Sequence, residues 1–193
     1  LIRYMRETED QLQILLCELA AYLHNKDMEI NVWDRIIAFE GRMHEFIKAA
    51  YDYQDNTFHS HPGYYIDYFE MRLAQLQVLH NLHYEIKKIR KMPKQALVIA
   101  DYIMYMADYV VEMNIPDQQI EKLEEISEQM KQEELPKTRE EFEGRALLYH
   151  ILMDLEEFLV YKKRFVSGLD EKKLRIYWKQ EMEQKDSANE LQK

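Results

Sequence analysis

The histidines and acidic residues are the side chains of this sequence that could bind a metal. The chain has 7 histidines and 36 acidic residues. A carboxylate-bridged di-iron site in a helical bundle needs Glu-x-x-His pairs, so that both ligands reach the metal from successive turns. No glutamate stands three residues before any histidine. The pairs His80/His83 and His59/His61 provide too few convergent ligands, and we expect no metal.

Motifs for nucleophilic catalysis and phosphate binding are missing from the sequence. The serines stand in predicted turns, helix edges or the tail, without a nucleophile elbow or a triad around them. The four glycines are isolated, so no Gly-rich loop could hold a phosphate. The single cysteine, Cys17, cannot form an intramolecular disulfide and fits a reducing compartment. We therefore expect neither an enzyme nor a cofactor.

The tyrosines offer the most specific hypothesis of a ligand site. The 14 tyrosines include three dense groups at helical spacing: Tyr51 and Tyr53; Tyr64, Tyr65 and Tyr68; Tyr102, Tyr105 and Tyr109. Such groups usually belong to the core, with their hydroxyls at its rim. Alternatively, Tyr65 and Tyr68 could stack on an aromatic ligand while Arg72 or Arg145 binds its carboxylate. A closed bundle would instead pair Arg72 with a carboxylate from a facing helix or with backbone carbonyls.

The elements that must position these residues are helices. The composition is 47% hydrophobic and 32% charged, with only four Gly and four Pro, and no segment shows the two-residue alternation of a strand. The net charge of −10 argues against a nucleic-acid partner. We predict an all-α fold, an antiparallel bundle of about six helices with a possible seventh at the C-terminus. Residues 1–168 would form the bundle and 169–193 a charged tail.

Apolar residues at helical spacing place the six helices along the chain. They are predicted at residues 3–24, 32–55, 65–91, 94–113, about 116–130 and 139–167. Asn31 is a candidate cap for the second helix. The junction at Pro93 predicts an antiparallel hairpin of the third and fourth helices. The fifth helix has only a narrow apolar stripe and should lie on the outside of the bundle.

The sixth helix has the clearest start and stop signals. Thr138 and Glu141 have the spacing of a capping box, and Pro136 ends whatever precedes them. Gly168 is a candidate left-handed C-cap. Gly144 projects onto the apolar side of this helix, which predicts a neighbour in close contact with its backbone. This helix is therefore expected to organise the bundle.

Two stretches, residues 64–79 and 136–152, resemble the C-terminal domain of the putative aromatic acid exporter family of bacterial membrane proteins. The most specific part is the run Leu-Pro-Lys-Thr-Arg-Glu-Glu-Phe-Glu at residues 135–143. The order of predicted helices resembles that family over residues 3–165. The resemblance implies a helical domain that follows a membrane-spanning region.

The resemblance also sets the expected context of the chain. A membrane-spanning region of the same protein is expected upstream of Leu1, and Arg3 and Arg6 fit the excess of positive charge on the cytoplasmic side of a span. The chain would then lie at the cytoplasmic face of the cell membrane and serve assembly, interaction or regulation of transport. The alternative is a sensor domain for a small aromatic acid. A homo-oligomer is also possible.

Overall fold

The computed structural model describes residues 1–26, 31–58 and 63–178, and these residues form seven helices and no strand. The helices are α1 (Ile2–His24), α2 (Val32–Asp55), α3 (Gly63–Lys88), α4 (Ala96–Ala107), α5 (Asp117–Lys131), α6 (Arg139–Ser167) and α7 (Glu171–Tyr177). The prediction of an all-α bundle is confirmed, and the seventh helix forms. None of the helices in these ranges combines the length and the apolar character needed to cross a bilayer.

Each of α1 to α6 contributes buried apolar residues to one core. The most extensive packing is between α3 and α6, between α1 and α4, and between α2 and α3. α5 packs on α6 and, less extensively, on α4, and only Gln119, Leu123, Ile126 and Met130 of this helix are buried. The predicted outer position of α5 is therefore confirmed. Leu169 and Trp178 are also buried, so the chain just beyond α6 packs against the core.

The start of α6 and its glycine are as predicted. The Thr138 hydroxyl accepts a hydrogen bond from the Glu141 amide at 3.1 Å, and the Glu141 carboxylate accepts from the Lys137 amide at 2.9 Å. A Cβ on Gly144 would lie 3.0 Å from Pro93 Cγ and 3.1 Å from the Lys91 carbonyl oxygen. The close neighbour of Gly144 is thus the turn after α3.

Two local predictions are wrong, and a third holds in part. Gly168 is the C-cap of α6 but has φ −79°, which is right-handed, and its amide bonds back to carbonyls of the last turn of α6. Asn31 is the N-cap residue of α2, as predicted, but its side chain makes no capping bond and donates instead to the carboxylate of Asp34. α4 ends at Ala107 rather than near residue 113. The carbonyls of residues 111 and 112 accept hydrogen bonds from the ammonium of Lys162, which stabilises this segment in a non-helical form.

The predicted hairpin of α3 and α4 is also not the pairing that the fold uses. The main neighbour of α4 is α1, whereas α3 packs on α6 and α2. The connection of residues 89–95 can span roughly 23 Å when extended, which is enough to carry α4 round to α1. The ammonium of Lys26, just after α1, donates to the carbonyls of Lys87 and Ile89 and fixes the start of this connection.

Candidate functional site

A group of buried and half-buried polar side chains lies where α1, α3, α6 and the segment after α4 meet. We refer to it as the polar cluster, and its members are Glu9, Tyr64, Tyr68, Arg72, Gln75, Glu112 and Lys162. The members on α1, α3 and α6 lie there because each is on or beside the apolar stripe of its helix, and Glu112 lies in the irregular segment after α4. Buried polar groups must find hydrogen-bond partners, so their contacts indicate what the cluster can do.

Arg72 lies at the centre of the polar cluster, and only 1% of it is exposed. Its Nη1 donates to Gln75 Oε1 at 2.9 Å, and Gln75 Nε2 donates to the carbonyl of Phe158 on α6 at 2.8 Å. Its Nη2 lies 3.5 Å from Glu9 Oε1. Neither Nη2 nor Nε makes a hydrogen bond within the described ranges. Arg72 is therefore ion-paired, as a closed bundle requires, yet two of its nitrogens lack hydrogen bonds.

Glu9 links α1 to this arginine through a second contact. Its Oε1 accepts a hydrogen bond from the Tyr68 hydroxyl at 2.9 Å, and the Tyr68 ring lies 5.1 Å from the Arg72 guanidinium carbon. Burial raises the pKa of Tyr68, so its hydroxyl stays protonated and remains a donor. One carboxylate oxygen thus serves both the arginine and the tyrosine.

Lys162 and Glu112 form the second half of the polar cluster. Lys162 is 4% exposed, and its ammonium donates to the carbonyls of Val111 and Glu112. Burial lowers the pKa of Lys162 well below its ordinary value, and the charge of Arg72 adds to this effect. The Glu112 carboxylate accepts from the Tyr64 hydroxyl, and burial raises its pKa. The lysine therefore bonds to backbone rather than to this carboxylate.

A cavity of about 610 Å³ opens beside the polar cluster, between the start of α1, the start of α3, residues 112–113 and α7. Tyr65 lines it together with Tyr177, and the two rings meet edge to face with centroids 5.6 Å apart. Tyr177 also stacks on Tyr64 at 3.9 Å. Glu9 and Glu112 line the same cavity. The site thus combines aromatic rings with acidic groups.

The structure brings three of the four predicted site residues together. Tyr65 lines the cavity, while Tyr68 and Arg72 lie in the polar cluster beside it. Arg145 is elsewhere: it is 7% exposed and donates to the carbonyl of Glu134 before α6. It precedes Lys162 by 17 residues on the same helix, which corresponds to about 25 Å. Arg145 therefore cannot act with the other three on one small ligand.

The sequence prediction missed Glu9, Glu112 and Lys162. Two of these carried a detectable signal, because a charged residue at helical spacing within an apolar stripe is unusual. Glu9 lies between the buried Met5 and Leu12, and Lys162 lies between the buried Phe158 and Phe165. Glu112 carried no such signal, since it follows α4 in an irregular segment.

The histidines contribute no metal site within the ranges that the structure describes. There, no group of three or more His, Cys, Asp or Glu side chains could hold an ion. His80 lies 3.3 Å from the Glu40 carboxylate and packs edge-on against Trp33 at 4.4 Å. His83 packs on the same tryptophan. The predicted turn with His59 and His61 falls outside the described residues, apart from Gly63.

Comparisons with known proteins give the family. The model of the family described as "Putative aromatic acid exporter C-terminal domain" matches residues 1–163. The "Uncharacterized protein YqjA" of Bacillus subtilis (strain 168) is 27% identical over 167 residues, which cover 86% of this chain and 51% of that protein. This chain therefore spans about half the length of that curated relative.

A solved structure gives the same picture of the fold. The crystal structure of a "putative membrane protein from Clostridium difficile 630" matches with a TM-score of 0.75 at 24% identity. The match covers 86% of this chain and 98% of that one. At this identity the likeness concerns the fold alone. The family match covers most of the sequence, and the chain therefore belongs to the family of putative aromatic acid exporter C-terminal domains.

Proposed function

We propose that this chain is the cytosolic helical domain of an aromatic acid exporter-like membrane protein and that it serves assembly, interaction or regulation of transport. Catalysis is not part of this proposal. The family description, which is that of a transport protein's C-terminal domain, supports the general context. The contacts of the polar cluster support a role in assembly or regulation.

The observation that carries the proposal is that the buried charges hold helices to one another. Arg72 on α3 pairs with Glu9 on α1, and Gln75 extends the contact to the backbone of α6. Lys162 on α6 fixes the segment after α4. Breaking one such buried interaction costs several kcal/mol, so these elements should move as a unit. A unit of this kind suits a domain that transmits or resists movement.

The position of Glu9 near the start of α1 would couple this unit to a membrane-spanning region that precedes α1. Glu9 lies seven residues after Ile2, the first residue of α1, a distance of about 10 Å along the helix. If a membrane-spanning region precedes α1, a displacement of that region reaches the polar cluster within two turns. The same cluster also contacts the end of α7 through Tyr64, whose hydroxyl accepts from Nε1 of Trp178, the C-cap residue of α7, at 3.1 Å.

The cytosolic location can be tested in the full-length natural protein. Lys137 is 83% exposed in its side chain, so Lys137→Cys gives a single accessible thiol once Cys17 and any cysteine elsewhere in the full-length protein have been replaced by serine. A membrane-impermeant maleimide should label it in inverted membrane vesicles and leave it unlabelled in intact cells. Labelling in intact cells but not in inverted vesicles would place the domain on the extracellular side of the membrane and refute the proposal.

The regulatory role needs a separate test in cells. Glu9→Gln weakens the ion pair to Arg72 while it retains the shape of the side chain, and Glu124→Gln on the exposed face of α5 is the control. We expect Glu9→Gln to change efflux of labelled benzoate at equal protein levels, and Glu124→Gln to leave it unchanged. Equal efflux from both variants and the unmodified protein would contradict a regulatory role of the cluster.

The sensor domain for an aromatic acid is the second candidate. It is favoured by the Arg72 nitrogens that lack hydrogen bonds and by the nearby Tyr65. Against it, Glu9 rather than Arg72 lines the cavity, so a ligand carboxylate would first have to displace Glu9. Calorimetric titration with aromatic carboxylates tests it: saturable binding that Arg72→Leu abolishes, in a variant that still folds, would support the sensor.

A further inference from the structure

The cavity beside the polar cluster has walls of a defined chemical character. Its volume of about 610 Å³ lies within the range of small-molecule sites, about 300–1,000 Å³. The carboxylates of Glu9 and Glu112 and the rings of Tyr65 and Tyr177 line it. Arg6 is the one cationic side chain among the described residues that line it, and it is solvent-exposed. Among the described lining residues, acidic groups therefore outnumber basic ones by two to one.

Arg72 is ion-paired with Glu9, but neither carboxylate accepts a hydrogen bond from a charged donor among the described residues. Each accepts one hydrogen bond from a neutral tyrosine hydroxyl, Glu9 from Tyr68 and Glu112 from Tyr64. Arg72 lies 3.5 Å from Glu9 without making a hydrogen bond to it. The ammonium of Lys162 is used by two backbone carbonyls. A cation that entered the cavity could donate a charge-assisted hydrogen bond to either carboxylate, which no described side chain does.

The aromatic walls narrow the kind of cation. Tyr65 and Tyr177 meet edge to face at 5.6 Å, and Met5 and Met113 complete an apolar lining. The faces of tyrosine rings attract organic ammonium groups, and tyrosine rings also pack on the aromatic ring of a ligand. An aromatic carboxylate of the same size would bring its charge toward two acidic groups.

We infer that this cavity binds a small aromatic amine, with its ammonium between Glu9 and Glu112 and its ring against Tyr65 and Tyr177. The inference goes beyond the proposed function, because such binding would occur whether or not the domain regulates transport. It also opposes the sensor alternative, since the two ideas require ligands of opposite charge in one region.

Three ligands of similar shape test the sign of the charge. Phenethylamine, phenethyl alcohol and phenylacetate are cationic, neutral and anionic at neutral pH, and each can be titrated into the unmodified chain by calorimetry. We expect saturable binding of phenethylamine with one site per chain, and at least tenfold weaker binding of the other two. Tighter binding of phenylacetate, or no binding of phenethylamine at millimolar concentration, would overturn the inference.

Two variants test the location of the site. Glu112→Gln should weaken phenethylamine binding at least tenfold, whereas the control Glu124→Gln on exposed α5 should not change it. Arg6→Gln should leave binding unchanged or strengthen it, because it removes the competing positive charge. Equal affinity of the Glu112 and Glu124 variants would refute the assignment. The ligand series on the unmodified chain decides the question even if Glu112→Gln does not fold.

Discussion

Substitution of the two mid-helix glycines by alanine should have opposite effects on stability. Gly41 lies on an exposed part of α2, and a Cβ there would meet nothing within 4 Å. Alanine is favoured over glycine inside a helix by roughly 0.5–1 kcal/mol. We therefore expect Gly41→Ala to raise the free energy of unfolding by about that amount.

Gly144→Ala gains the same helical preference, but its added Cβ would clash sterically with neighbouring atoms. Its Cβ would lie 3.0 Å from Pro93 Cγ and 3.1 Å from the carbonyl oxygen of Lys91. The carbonyl belongs to the backbone and the proline ring is stiff, so neither can move aside at low cost. Overpacking of this kind costs roughly 1–3 kcal/mol. The net change in free energy of unfolding should thus be a loss of about 0–2.5 kcal/mol, and Gly144→Val should lose more.

Guanidinium unfolding followed by circular dichroism measures both variants under identical conditions. The two alanine variants should differ by about 2 kcal/mol, the midpoint of the overpacking cost. A chain of this size shifts its melting temperature by roughly 2–4 °C per kcal/mol, so we expect a difference of about 4–8 °C. If Gly144→Ala stabilised the chain as much as Gly41→Ala, the close contact between α6 and the turn after α3 would not exist in solution.

Three further predictions concern stability and pH. Thr138→Ala should lower the free energy of unfolding by about 1 kcal/mol in denaturant titrations, because it removes an N-cap; no change would argue against the cap. Burial raises the pKa of Asp154 to about 6 from 3.8, so the folded chain binds its proton more tightly than the unfolded chain. The free energy of unfolding should therefore fall as pH rises from 3.8 to about 6. At pH 7, Asp154→Asn should be more stable than the unmodified chain by about 1 kcal/mol, after allowance for solvent screening. At pH 4 it should show no such advantage. Asp101→Asn on exposed α4 is the control, and an equal pH response of both would contradict this reasoning. Arg72→Met should lower the free energy of unfolding by about 3 kcal/mol, because it leaves the largely buried Glu9 carboxylate without its ion-pair partner. Arg145→Met should lower it by only about 1 kcal/mol, through loss of the hydrogen bond to the carbonyl of Glu134. Equal losses for the two variants in thermal unfolding would contradict this expectation.

The sequence by itself determined the features that depend on neighbours within a few residues. The all-α class followed from apolar periodicity, the start of α6 from the spacing of Thr138 and Glu141, and the close contact at Gly144 from a missing side chain on an apolar stripe. Each of these is fixed by short-range hydrogen bonds or by sterics along one helix. Local sequence therefore carries them reliably.

The ends of elements and the choice of helix partners were decided by the tertiary structure. The apolar pattern of α4 continues to residue 113, yet the helix ends at Ala107 because Lys162 binds the carbonyls that follow. α4 packs on α1, which the length of the connection at residues 89–95 permits but does not dictate, and no local signal specifies that choice.

The candidate site shows the same division most clearly. Tyr65, Tyr68 and Arg72 could be grouped from their spacing on one helix, but the partner of Arg72 is Glu9, which is 63 positions earlier in the chain. Arg145 carries the same guanidinium as Arg72 and could equally have bound a carboxylate, and only the packing of α3 on α6 placed the two side chains far apart. A buried charge is tolerated only where a distant group meets it, so the identity of that group depends on which helix surfaces come together.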